Sequence, residues 1–208
     1  MTPDEVKNRS HDILVAQGVR INESLPLIEA PNELNPQSAE SVARRAVVLV
    51  HVAGIGFGQQ GARMMAPLKQ FRLLQYASAQ EIRLLNADAY TEQERTNAAW
   101  LVECIQALGW CLGFVDLDPF TRCDDDLASH FPKLFADPSD FIANATLRPF
   151  TELYQQADLH YRLHWAARND RLVGAHSTLE EGVILERRKA IDWVIGVESD
   201  WDEMPLNT

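Results

Sequence analysis

Apolar and polar positions alternate with a helical period along almost the whole chain. Thr2-Pro3-Asp4-Glu5 supplies an N-cap, a proline at the first helical position and a glutamate at the capping-box position. A helix is therefore expected from there to Gln17, with Gly18 as its stop. Residues 20–37 carry Pro26, Pro31 and Pro36 and read as an extended connection. Ser38 caps a helix whose later part, Ala46 to Ala53, is apolar nearly all round, the pattern of a buried central helix. Ser78-x-x-Glu81 and Thr91-x-x-Glu94 are two further capping boxes. The second opens a helix to Leu112, with Leu101, Ile105, Leu108 and Leu112 on one stripe and Gly113 ending it. Between Asp116 and Asp140 the chain turns polar, with Pro119, Pro132 and Pro138, and reads as a long surface excursion. Two long helices come next, over 149–168 and 179–196, the latter capped by Ser177-x-x-Glu180. With no internal repeat and no run of alternating strands, the expected fold is all-α. It is a single domain over 1–208, a multi-helix bundle with a long polar loop around 116–140.

The last two helices break their own pattern. Winding 149–168 at the helical angle spreads Leu153, Tyr154, Ala157, Tyr161, Leu163, Trp165 and Ala167 over a wide apolar arc. Inside that arc runs a polar row at i+4 spacing, Gln156, His160, His164 and Arg168, which leaves Gln155, Asp158 and Arg162 to solvent. The next helix buries Leu179, Val183, Ala190, Ile191, Trp193 and Val194. Glu186 and Arg187 fall within that side, while Arg188, Lys189 and Asp192 point away. A short connection favours antiparallel neighbours, which brings Glu186 level with His160 and His164. Buried charges persist only when paired, so the pattern predicts a semi-buried network joining Glu186 to His160, His164 or Arg168. Tyr161, Trp165 and Trp193 would wall it. A network that fixes helix register is the first expectation, and a ligand pocket the second.

Composition narrows the function classes. The chain has 208 residues, 46% of them apolar, enough to bury a sizeable core. Its formal net charge of −11, without a basic block, argues against nucleic acid and against anionic membranes as partners. The polar N-terminus carries no signal-peptide pattern. Of three cysteines, Cys104 and Cys111 lie about 10.5 Å apart along one predicted helix, too far for a disulfide. Packed thiols in a reducing cytoplasm are the expectation.

Three motifs bear on chemistry. Gly56-Phe57-Gly58-Gln59-Gln60-Gly61 matches the dinucleotide fingerprint, with Glu81 twenty residues further on. Its context is helical rather than strand–turn–helix, Pro67 interrupts the next segment, and a helix end with a turn is the preferred reading. His160-x-x-x-His164 could chelate a metal, but its flanking positions are Gln156 and Arg168, so neither a metal nor another cofactor is expected. Around Asp200-Trp201-Asp202, four carboxylates in six residues form a second-rank candidate site. A solvated loop pinned by Trp201 is the plainer account.

The combination Tyr161-Arg162-x-x-Trp165-Ala166, Glu186-Arg187-Arg188 with Trp193, and Asp200-Trp201-Asp202 ahead of Thr208 resembles a bacterial family known as domain of unknown function 4272. Arg9-Ser10, Gly18, Leu25-Pro26 and Arg45-Ala46 extend the resemblance over most of the chain, with Asn207 standing where an acid is expected. The resemblance implies a helical bacterial protein and supplies no catalytic residues. The expected function is a non-enzymatic one, binding a protein partner or a small molecule. The alternative is a hydrolase-like enzyme using a His/Glu/Arg pocket between the last two helices.

Overall fold

The computed structural model describes residues 1–208 and contains eight α-helices and no strand. They are α1 (Pro3–Ala16), α2 (Ala39–Gly56), α3 (Gly61–Gln70), α4 (Ala79–Asn86), α5 (Glu92–Cys111), α6 (Ser139–Ala143), α7 (Phe150–Val173) and α8 (Glu181–Ile195). Three of the helix starts form as complete capping boxes, at Thr2, Ser78 and Thr91, and Ser38 Oγ accepts from the Ser41 N–H. The fourth does not. Ser177 Oγ accepts from the Leu179 N–H instead, and Glu180 spends its carboxylate on Arg122 of the long loop.

The larger helices pack in the order α2, α5, α8, α7, α1, with α3 and α4 closing over α2. As its apolar periphery requires, α2 is central, and Val42, Val48, Leu49, Val52 and Ile55 are fully buried. The close approach of α2 to α5 depends on Gly56, where any Cβ would strike the Ala99 backbone. Gly58 forms the turn between α2 and α3 at φ +85°, and the Gly61 N–H donates to Tyr90 Oη at 2.9 Å. These glycines thus serve helix packing and a turn, while Glu81 pairs with buried Arg45. No helix is long and apolar enough to cross a membrane.

Three expectations need correction. Helix α7 runs five residues past 168, to Val173, and ends on Gly174. The 116–140 segment is not purely a surface excursion. It forms a short 3-10 turn over Leu127–His130 and sends Leu127 and Phe131 into the core. The third correction concerns charge. Asp158 and Arg162, assigned to solvent by the helical winding, are 0% and 2% exposed and form a two-pronged ion pair, both hydrogen bonds 2.8 Å long. Gln155, also assigned outward, bonds Val6 O and Ser10 Oγ of α1. The reason is that α7 is covered on two sides, by α8 and by α1, so its second polar face has no solvent to reach.

This packing has two measurable consequences for stability. Asp158→Ala strands a buried guanidinium and should cost about 3–5 kcal/mol in urea unfolding, much of it recovered by adding Arg162→Met. Gly56→Ala should cost about 1–3 kcal/mol through overpacking against α5, read by the same measurement.

Candidate functional site

Helices α7 and α8 run antiparallel, as Arg171–Glu181 near one end and His164–Arg188 further along show. Where they meet the 25–29 segment and the C-terminal tail, a cleft of about 520 Å3 opens. Its outer wall is fixed by local bonds. Tyr154 Oη donates to Glu29 O at 2.8 Å, and Lys7 Nζ donates to Glu23 O at 2.6 Å. Gln37 N donates to Val194 O at 2.9 Å, which ties the connection to the end of α8. There Gly196, at φ +85°, lets the backbone of Asn35 come close enough to exclude any Cβ. The cleft floor is Tyr161 from α7 and Arg188 and Asp192 from α8, and Asn207 and Thr208 of the tail close it.

Arg188 organises this floor, although helical winding placed both it and Asp192 outward. Their side chains are 7% and 8% exposed. Arg188 Nε donates to Asp192 Oδ2 at 3.0 Å, and Nη1 donates to His164 Nδ1 at 2.9 Å and to Asn207 O at 3.1 Å. The guanidinium carbon lies 4.9 Å from the centre of the Tyr161 ring, a cation–π contact. Since arginine only donates, His164 must present a bare Nδ1 and carry its proton on Nε2. Burial and the neighbouring Arg188 push His164 down to about 4. Burial raises Asp192 to about 7 against the opposing pull of Arg188.

The remaining candidates scatter. His160 lies fully buried with its Nδ1 on Gln156 O and its Nε2 without a partner, and burial lowers it to about 3. Arg168 reaches the tail at Thr208 Oγ1, 3.4 Å away, and Trp165 is half-buried. Glu186 does not meet His160, His164 or Arg168. It faces α5 and accepts from Cys104 Sγ at 3.1 Å, and burial raises its carboxyl. Arg187 turns the same way, to Glu103 of α5 and Asp118 O. Helix α8 therefore splits its charges between two neighbours, where the winding had assumed one. Trp193 packs edge-on against Trp201, with ring centres 5.5 Å apart, and not against the histidines. Asp200 and Asp202 cap backbone N–H groups, Asp202 that of Gln80 on α4. Trp201 is buried under Arg45, whose guanidinium carbon sits 4.1 Å from the ring centre. The tail is thus a clasp. No group of three or more His, Cys, Asp or Glu side chains is placed to hold a metal ion.

Sequence reasoning missed Arg188, Asp192 and the 25–29 wall. Arg188 and Asp192 sit at i,i+4 spacing, a pairing signal that was available, but their side of α8 was taken as solvent. A second cleft, of about 630 Å3 between α2, α5 and the long loop, is mainly apolar, lined by Val50, Phe57, Ile105, Leu127 and Phe131.

The buried imidazole predicts a pH effect. His160 is neutral when folded down to about pH 3, whereas in the unfolded chain it protonates from 6.5. Its contribution is complete above pH 6.5 and is lost as pH falls, at a limiting slope of about 1.4 kcal/mol per pH unit. Urea unfolding of wild type should show this acid-side loss, and His160→Leu should reduce it, leaving the share of His164, which burial lowers to about 4.

No curated protein and no solved structure significantly matches the sequence, so the site stands on its geometry. The family profile described as Domain of unknown function (DUF4272) matches residues 6–204, nearly the entire chain. The chain belongs to this family.

Proposed function

We propose that this protein binds a small molecule in the cleft between α7, α8, the 25–29 segment and the tail, without transforming it. The observation that carries this reading is a buried guanidinium, Arg188, set on the floor of a preformed cleft half of whose lining is hydrophobic. Concave sites with an apolar lining and a few fixed polar groups are the usual form of ligand pockets. A charge held in low dielectric also gives a ligand much more than a surface charge does. The enzyme reading loses its acid–base pair, because Glu186 lies against Cys104 and His160 is sealed. No serine, cysteine, lysine or histidine lines the cleft.

A fragment library screened by protein-observed NMR tests the reading. Binders should shift the amides of Tyr161 and Val197, and should raise the melting temperature by mass action. Val197→Trp, which fills the cleft from its rim, should weaken them about tenfold or more while the protein stays folded by circular dichroism. A library in which no compound moves those amides, or binders indifferent to Val197→Trp, would overturn it.

A further inference from the structure

The four buried arginines of this fold are not equally satisfied. Arg45 meets both oxygens of Glu81, and Arg162 meets both oxygens of Asp158. Arg187 takes Oε2 of Glu103, and the Cys123 N–H takes Oε1. In each of these three cases the carboxylate has a donor on both oxygens. The Arg188–Asp192 pair is the exception. Only Nε and Oδ2 join; Arg188 Nη2 and Asp192 Oδ1 make no hydrogen bond inside the chain. Nor are these two atoms sealed in the interior as Arg45 Nε and Arg162 Nη1 are. Both residues line the cleft, which gives its floor a donor and an acceptor without partners in the chain.

Resting on the small-molecule reading of this cleft, we infer that the ligand is a small zwitterion, a molecule of the free amino-acid class whose carboxylate takes Arg188 Nη2 and whose ammonium takes Asp192 Oδ1. A simple anion would satisfy the guanidinium but set its charge against Asp192 and Glu29, within a chain of net charge −11. An amine alone would satisfy Asp192 and leave the arginine edge open. A zwitterion answers both and adds no net charge. The apolar walls, Leu27, Ile28, Ile195 and Val197 among them, fit an aliphatic or aromatic side chain.

Proton linkage gives the assignment its own signature. The charges acting on Asp192 are Arg188 on its own helix and Glu29 on the facing segment. Tyr161 and His164 on α7 are uncharged near neutrality. Burial holds the empty Asp192 at about 7, and an arriving ammonium favours its ionised form. Zwitterion binding therefore releases a proton and tightens as pH rises through that value, whereas anion binding would take one up and weaken.

Calorimetric titration of the full chain with L-leucine, L-methionine and L-phenylalanine, beside 4-methylpentanoate and isopentylamine, tests it. At least one amino acid should bind about tenfold or more tightly than the matched anion and amine. Its affinity should rise between about pH 6 and about pH 8. Asp192→Asn, which keeps an acceptor for Arg188, should abolish the pH dependence and weaken binding about tenfold. Arg188→Lys is the second variant, with the same loss expected, and thermal unfolding checks that both fold. An anion that binds as well as the amino acids, or affinity that falls with pH, overturns the zwitterion. So does a panel that fails to bind while other fragments enter the cleft. If fragments also miss the cleft, the small-molecule reading itself falls.

Discussion

Arginine is costly to place inside a protein, since each ion taken out of water loses several kcal/mol of hydration that only a well-aimed carboxylate and further acceptors return. Arg45, Arg162, Arg187 and Arg188 all lie in the interior, each against its own acid. The pairs tie α2 to α4, α7 to itself, α8 to α5, and α8 to itself beside α7. They also interrupt the apolar interior. One large cluster fills the space around α2, α5 and α8, and a separate small one, with Leu14, Leu163 and Ile184, joins α1, α7 and α8. Much of the buried polarity sits on α7 and α8, beside the junction of the two.

That placement explains why the cleft lies where it does. Polar side chains of fixed length cannot interdigitate as densely as leucine and valine, and their partners have to come from particular directions. At the α7–α8 junction one partner set is drawn from outside the helices altogether, the carbonyl of Asn207 in the tail. The opposite wall is a proline-containing connection with no helical structure, anchored through Tyr154 and the end of α8. Two irregular segments laid over a charged floor leave room that a third helix would have filled.

Helix existence and starts were legible because capping is a local event. Thr2, Ser78 and Thr91 find their partners three residues away, and the Ser78 box forms even though Arg45 also pairs with its glutamate. Ser177-x-x-Glu180 has the same letters and a different outcome: α8 begins only at Glu181, Ser177 Oγ accepts from the Leu179 N–H, and Glu180 pairs with Arg122, fifty-eight positions earlier in the chain. The candidate site was legible only in part. Tyr161, His164 and Arg168 do face the cleft or its supporting bonds, but Glu186, Arg187 and Trp193 serve other contacts. Winding a helix shows which residues share a face. It cannot show how many neighbours the helix has, and α7 and α8 each have two.

The sequence by itself determined an all-α chain, the starts of six of its eight helices to within two residues, a buried α2, and a C-terminal quarter where charge must enter the interior. Tertiary structure alone decided which carboxylate each arginine meets. Arg188 and Asp192 became the floor of a cleft, and not a solvated pair, only because the 25–29 segment and the tail arrive over them. Pairing between distant residues depends on which surfaces the packing brings together. Periodicity along one helix carries no record of what lies across from it.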